Sequence, residues 1–215
     1  MILRGRFITL EGGEGTGKST QAALLGDWLR STGSSVVVTR EPGGSPRAEA
    51  LRELLLSGRV APFGPEAEAL AFAIARADHV AETIRPALEA GTWVISDRFH
   101  DSTWAYQGSA GVRPEMLARL DSIAVGETRP DLTLILDLPA ELGLERAAGR
   151  NQAPDRFETD ALHQHSARRQ AFLDIAAREP GRCVVVDAST DRPAVARAIV
   201  AAVKSRLGST LAEAH

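Results

Sequence analysis

The chain has 215 residues, 44% of them hydrophobic and 25% charged, which suits one α/β domain able to bury a core without disulfide or metal staples. A formal net charge of −3 lacks the basic excess of a nucleic-acid surface. No apolar run reaches the ~18 residues of a membrane span, and the single cysteine, Cys183, admits neither an intrachain disulfide nor a cysteine-built zinc site.

The N-terminal apolar run is short and broken by Arg4 and Arg6, unlike a signal peptide, so cytoplasmic residence is the expectation. Arg6 to Glu11 reads as a strand. Lys18 to Arg30 reads as a helix, with Leu24, Leu25, Trp28 and Leu29 on one face and Gly33 beyond its end. A second strand, Ser35 to Thr39, leads into the turn REPGGSP. Pro46 to Ser57 reads as helical through Leu51, Leu54 and Leu55. The alanine-rich stretch Pro65 to Ala90 reads as helix, and Trp93 to Asp97 as a third strand. Pro114 to Gly126 should be a helix with Met116, Leu117, Leu120 and Ile123 inward. Leu132 to Leu138 is a continuous apolar strand. The helix from Ala140 to Gly149 breaks into the polar stretch GRNQAPDR and resumes from about Thr159 to Arg178. Cys183 to Val186 is the last strand, with Cys183 buried in it, and Arg192 to Leu207 the last helix.

Five strands separated by helices, each an apolar run rather than an alternating one, predict a parallel sheet covered by helices on both faces. No repeat or linker interrupts the chain. One domain over 1–208 is expected, with the tail 209–215 frayed.

The segment GGEGTGKS, Gly12 to Ser19, matches G-x-x-x-x-G-K-[ST] in full, after a predicted strand and before a predicted helix. In such a P-loop, Gly12, Gly13, Gly15 and Gly17, with Glu14 and Thr16 between them, let backbone N–H groups form a nest for phosphate oxygens at a helix N-terminus. Lys18 should reach the β/γ-phosphates of ATP, Ser19 should ligate Mg²⁺, and Thr20 is placed for the α-phosphate. The chain lacks the base-reading N-K-x-D motif of a GTPase and is short for a large ATPase. A nucleoside or nucleotide kinase of the P-loop NTPase fold, with a mobile basic lid over about 146–157, fits best.

Five blocks in order resemble bacterial thymidylate kinase: FITLEGGEGTGKST, TREPGG (Thr39 to Gly44), WVISDRF (Trp93 to Phe99), STWAYQG (Ser102 to Gly108) and RPDLTLILD (Arg129 to Asp137). The resemblance implies transfer of the ATP γ-phosphoryl group to dTMP, giving dTDP for dTTP synthesis, in a homodimer whose contact the Pro65 to Ala90 helix could supply. It implies further that Arg40 and Arg98 grip the acceptor phosphate. Phe72 stacks on thymine and Arg76 donates to its O4; the two stand four apart and share a helix face. Ser102 and Gln107 lie by the acceptor, Tyr106 packs against the deoxyribose, and Glu14 faces the sugar 3′-OH or the metal. Asp97 resembles a carboxylate that holds Mg²⁺ through water, with Asp137 a lower-ranked rival.

Some relatives carry an arginine next to the P-loop acid. Here that position is Gly15. The resemblance is to the type whose lid supplies the catalytic arginine, with Arg150 the first choice and Arg156 the second, beside Arg146. The acceptor is already an ionised phosphate, so no general base is needed. A kinase for another acceptor and a non-catalytic nucleotide switch are the rival readings. The Arg40 and Arg98 pair argues for a phosphorylated acceptor, and the lid arginines argue for turnover.

Overall fold

The computed structural model describes residues 4–149 and 156–212, with side chains described to 208. Five parallel strands, β1 (Phe7–Glu11), β2 (Val36–Arg40), β3 (Trp93–Asp97), β4 (Leu132–Asp137) and β5 (Cys183–Asp187), form one sheet in the order β2-β3-β1-β4-β5. The register sets Leu10 against Asp97 and Arg40 against Asp97, so the carboxyl ends of β1, β2 and β3 lie side by side.

Strand burial follows position in the sheet. Every residue of β1 is buried, and β4 is buried up to Asp137. The edge strands β2 and β5 are only partly covered, and Val38 and Val185 are exposed. An apolar run therefore marks a strand here, but full burial belongs to the centre of the sheet.

Two cores sandwich the sheet. On one face Ile8, Leu10, Ile95 and Leu134 pack against Leu25 and Leu29 of α1 (Lys18–Ser31) and Ile199 and Val203 of α9 (Arg192–Ala212). On the other, Phe7, Val94 and Phe99 pack against Ala73 of α3 (Pro65–His79) and Val80, Ile84 and Leu88 beyond it. Alternation along β1 sends Thr9 and Glu11 to the same face as Phe7. The Thr9 hydroxyl pairs with that of Thr133, 2.8 Å away.

The remaining helices are α2 (Pro46–Leu56), α4 (Arg85–Glu89), α5 (His100–Ser109), α6 (Pro114–Ala124), α7 (Ala140–Ala148) and α8 (Leu162–Arg178). The expected helix from Pro65 to Ala90 is interrupted by a π turn, Val80–Ile84. Helix α5 has no counterpart in the sequence reading, and α9 runs to Ala212 rather than ending at Leu207.

One inward assignment changes, that of Ile123, and two residues read on apolar helix faces are not covered. Leu24 and Leu54 are exposed, and Ile123 of α6 is 79% exposed. The buried positions of α6 are Leu117, Asp121 and Ala124. Asp121 turns inward because it accepts the Trp104 indole N–H at 2.7 Å.

Candidate active site

The P-loop turns sharply from β1 into α1. Gly12, Gly15 and Gly17 adopt φ of 133°, 68° and 88°, values that side-chain-bearing residues rarely take. A Cβ at Gly13 or Gly17 would meet nothing within 4 Å, so the loop leaves room there for an anion. At Gly15 a Cβ would lie 1.9 Å from the carbonyl oxygen of Gly143 on α7. The loop rests directly on that helix, which is why a side chain, and so an arginine, has no place at this position.

Lys18 lies back along the loop. Its ammonium donates to the Gly13 carbonyl at 2.6 Å and to Thr16 Oγ1 at 3.3 Å. Burial, with the Arg98 charge next, lowers its pKa to about 8, although Glu14, Asp97 and Glu11 pull the other way. The Thr16 hydroxyl is used inside the loop, donating to the Gly13 carbonyl at 3.0 Å. Ser19 Oγ donates to the Asp97 carboxylate, so the two expected metal-site oxygens touch. The rival Asp137 is held in both oxygens by Arg169, at 2.7 and 2.9 Å.

Arg98 follows β3 with φ 71° and is the only described non-glycine residue with positive φ. Its guanidinium spans the junction between the two halves of the cleft. Nη1 donates to the Gly12 carbonyl and to Ser102 Oγ, both at 3.0 Å. Nη2 donates to Glu14 Oε1 at 2.8 Å and to the Tyr106 hydroxyl at 2.9 Å. Tyr106 in turn donates to Glu14 Oε1 at 2.5 Å. Burial raises the Tyr106 phenol, opposed by Arg98 and reinforced by Glu14. It stays protonated and able to donate.

Beneath this group lies Glu11, which the sequence reading left inside a strand. Its carboxyl accepts from the Phe99 backbone N–H at 2.8 Å and from Ser102 Oγ at 2.6 Å. Burial, with Asp101 next, pushes its pKa up to about 7. Glu11 thus braces the turn that carries Arg98.

The other half of the cleft holds the expected base and phosphate groups. Arg76 is 3% exposed. It donates through Nε to Glu41 Oε2 at 2.7 Å and through Nη2 to the Phe99 carbonyl and Thr103 Oγ1, at 3.1 and 3.0 Å. Phe72, one turn away, faces Phe157 with ring centroids 6.0 Å apart. Gln107 approaches Glu68 at 3.5 Å. Arg40 is exposed and pairs with Glu49 at 3.2 Å, beside the cis Glu41–Pro42 bond.

One cleft of about 1050 Å³ is lined by Glu14, Gly15, Gly17, Lys18, Ser19, Thr20, Arg40, Phe72, Arg76, Asp97, Arg98, Ser102, Tyr106 and Gln107. The volume stands at the upper end of the range for small-ligand clefts. Gly12, Gly13 and Thr16, in the same loop, are not among the lining residues. Glu41, Arg52, Thr103 and Phe157 also line the cleft and were missed. Arg52 donates to the Pro42 carbonyl at 2.6 Å. It sits on α2 three residues after Glu49, and only the fold reveals which side of that helix meets the cleft.

The lid arginines are divided. Arg150 lies outside the described residues. Arg156 is engaged by two carboxylates. Its Nε is 2.9 Å from Glu68 Oε1, within ion-pair reach though not aimed for a hydrogen bond, and Nη1 meets Asp160 at 3.2 Å. Arg146 donates to the carbonyls of Ala188 and Ser189, at 2.8 and 3.2 Å.

Comparison with known proteins gives the family of the chain. Residues 10–199 match the family model described as thymidylate kinase. A protein of Bradyrhizobium sp. (strain ORS 278) named thymidylate kinase is 53% identical over 214 residues, 98% of this chain and 95% of that one. The thymidylate kinase of Nitrobacter hamburgensis is 53% identical over 209 residues, 96% and 91% of the two chains. A crystal structure of thymidylate kinase from Ehrlichia chaffeensis superposes with a TM-score of 0.75 at 31% identity, over 93% of this chain and 99% of that one. The matched residues take in the P-loop and reach into the last helix, and the chain belongs to the thymidylate kinase family.

Proposed function

We infer that the chain transfers the γ-phosphoryl group of ATP to dTMP, giving ADP and dTDP. Membership of the family carries the reaction. The observation that best supports the site assignment is Arg98, whose guanidinium bonds the P-loop carbonyl of Gly12 while facing the half of the cleft that holds Arg76 and Phe72. Donor phosphates on the P-loop and an acceptor phosphate on Arg98 would abut, the arrangement an in-line transfer needs.

The role of each group follows. Lys18 and the loop N–H groups hold the β/γ-phosphates. Arg98, with Arg40, holds the dTMP phosphate once Glu14 yields part of its hold on Arg98. Phe72 packs on thymine and Arg76 donates to O4. Tyr106 closes off the sugar, with Ser102 and Gln107 beside it. The Ser19 hydroxyl and the Asp97 carboxylate are hard oxygen donors in contact, and they fit Mg²⁺, which takes one or two protein oxygens and completes its shell with water and phosphate. When bound, that ion neutralises charge on the phosphates. Arg150, with Arg156 as the alternative, supplies the further positive charge during transfer.

We also propose a homodimer. Leu70 and Ile74, four apart on α3, are 48% and 53% exposed, and Ile123 on the adjoining α6 adds to this apolar surface. Among the described residues no helix is long and apolar enough to cross a membrane. Cytoplasmic residence is part of the same proposal, as is a single domain over 1–208.

The test is ADP release with MgATP and, in turn, dTMP, dUMP, dCMP and thymidine. Turnover is expected with dTMP, less with dUMP by about 10–200-fold for the missing methyl, and none with thymidine. Turnover with thymidine but not dTMP would overturn the acceptor assignment.

A further inference from the structure

Arg76 is held by groups that no role assigned above explains. Glu41 is buried, 6% exposed, and binds Arg76 Nε through Oε2. Its other oxygen, Oε1, meets His79 Nδ1 at 3.1 Å, and His79 Nε2 meets Thr39 Oγ1 at 2.8 Å. His79 is completely buried. A chain of four side chains therefore runs from the end of β2 through the turn after it to the guanidinium.

Sequence order makes this chain informative. Thr39 and Glu41 flank Arg40, the expected phosphate ligand. His79 lies three residues after Arg76, one turn along α3, so both face the same loop. Gly44 completes the fit: a Cβ there would lie 2.3 Å from His79 Nε2 and 2.5 Å from Thr39 Oγ1. The π turn starts at the next residue, Val80, and directs the Thr83 hydroxyl onto the Gly44 carbonyl at 2.7 Å. The Ser45 hydroxyl adds a bond to Asp78 of α3 at 2.7 Å, so the loop bearing Arg40 and the helix bearing Arg76 are fastened at several points.

We propose that Glu41 and His79 are the positioning residues for base discrimination, holding Arg76 so that only its remaining Nη1 is offered to the cleft. Nε and Nη2 are committed to Glu41, Phe99 and Thr103, whereas Nη1 has no hydrogen-bond partner among the described residues. A guanidinium fixed on three sides cannot swing away from a base that presents an amino group where thymine has O4. The donor-facing-donor clash is then unavoidable, and rejection of cytosine rests on that rigidity. Burial would raise the Glu41 carboxyl, but Arg76 and His79 outweigh it and hold it below the ordinary range. Glu41 is therefore a carboxylate whenever Arg76 is in place.

This rests on Arg76 reading O4. The experiment compares kcat/KM for dTMP, dUMP and dCMP, with saturating MgATP, in the wild type and in Arg76→Met, Glu41→Gln and His79→Gln. Ratios between substrates do not depend on the fraction of enzyme that is folded. The inference expects the dTMP-to-dCMP ratio to fall at least about tenfold in Glu41→Gln and His79→Gln, as a loosened contact loses up to ~10²-fold on dTMP. The dTMP-to-dUMP ratio should hold, since both bases present O4. An unchanged dTMP-to-dCMP ratio in Arg76→Met sinks the base assignment and the inference with it. A ratio that collapses in Arg76→Met but holds in both other variants leaves Arg76 as the reader and overturns the positioning role alone.

Discussion

At the scale of single residues, the cleft is defined by side chains whose burial and partners depart from what their type usually does. Lys18 is the clearest case. Its ammonium is buried and its pKa stands at about 8, below the ordinary 10.5. In the empty enzyme the charge that attracts triphosphate is present below pH 8 and lost as pH rises through it. kcat/KM for ATP should therefore fall above pH 8, approaching about tenfold per pH unit, and a pH profile at low ATP reads this directly. Replacing Lys18 by Ala should abolish turnover while the circular dichroism spectrum stays native. Retained activity would remove the lysine from the mechanism. Glu11 shows how a residue escapes a motif reading. It sits next to the glycines of the P-loop, yet its contacts are with Phe99 and Ser102, about ninety residues away in sequence.

At the scale of elements, contacts between helices and loops set what the motifs can do. Helix α7 touches the P-loop through two glycines: a Cβ at Gly143 would lie 2.4 Å from the Glu14 carbonyl oxygen. Gly143→Ala should cost about 1–3 kcal/mol by overpacking, lower Tm, and raise KM for ATP as the loop is displaced. A normal KM would show that the loop yields without altering its phosphate nest. The same contact leaves no room for an arginine at Gly15. In the proposed lid, Arg150→Ala should lower kcat by about 10³ or more with little change in dTMP affinity. If Arg156→Ala shows that effect and Arg150→Ala does not, Arg156 must leave Glu68 and Asp160 to act. Single-turnover rates for the two variants distinguish the cases.

At the scale of the whole molecule, three of the exposed apolar residues sit on neighbouring helices. Leu70 and Ile74 of α3 and Ile123 of α6 belong to helices that pack against each other. Isolated exposed leucines need no explanation, and it is their occurrence on two helices in contact that the dimer proposal uses. Ile74→Asp combined with Ile123→Asp should convert a dimer to a monomer in sedimentation velocity. A wild type that sediments as a monomer would sink the dimer proposal. The loss should reach the active site too, since α3 carries Arg76, Phe72 and His79.

The sequence by itself determined the parts that local physics controls. Strand runs and the glycine-rich loop before a helix follow from residue type and spacing. That is why the parallel sheet and the P-loop with Lys18 and Ser19 were legible, whereas Asp97 and Arg98 were picked out through the family resemblance. Helix α5 was not, because HDSTWAYQGS has weak amphipathicity and no cap; it is helical through packing of Ala105 and Tyr106 against Phe172 and Ile175. Ile123 read as inward because periodicity finds an apolar stripe without saying which neighbour covers it. Tertiary structure alone decided that Glu11 braces Arg98, that Glu41 and His79 grip Arg76, and that Gly143 forbids a side chain at Gly15. Those contacts join residues distant in the chain, and a linear pattern carries the chemistry of each group but not the partner it meets in the fold.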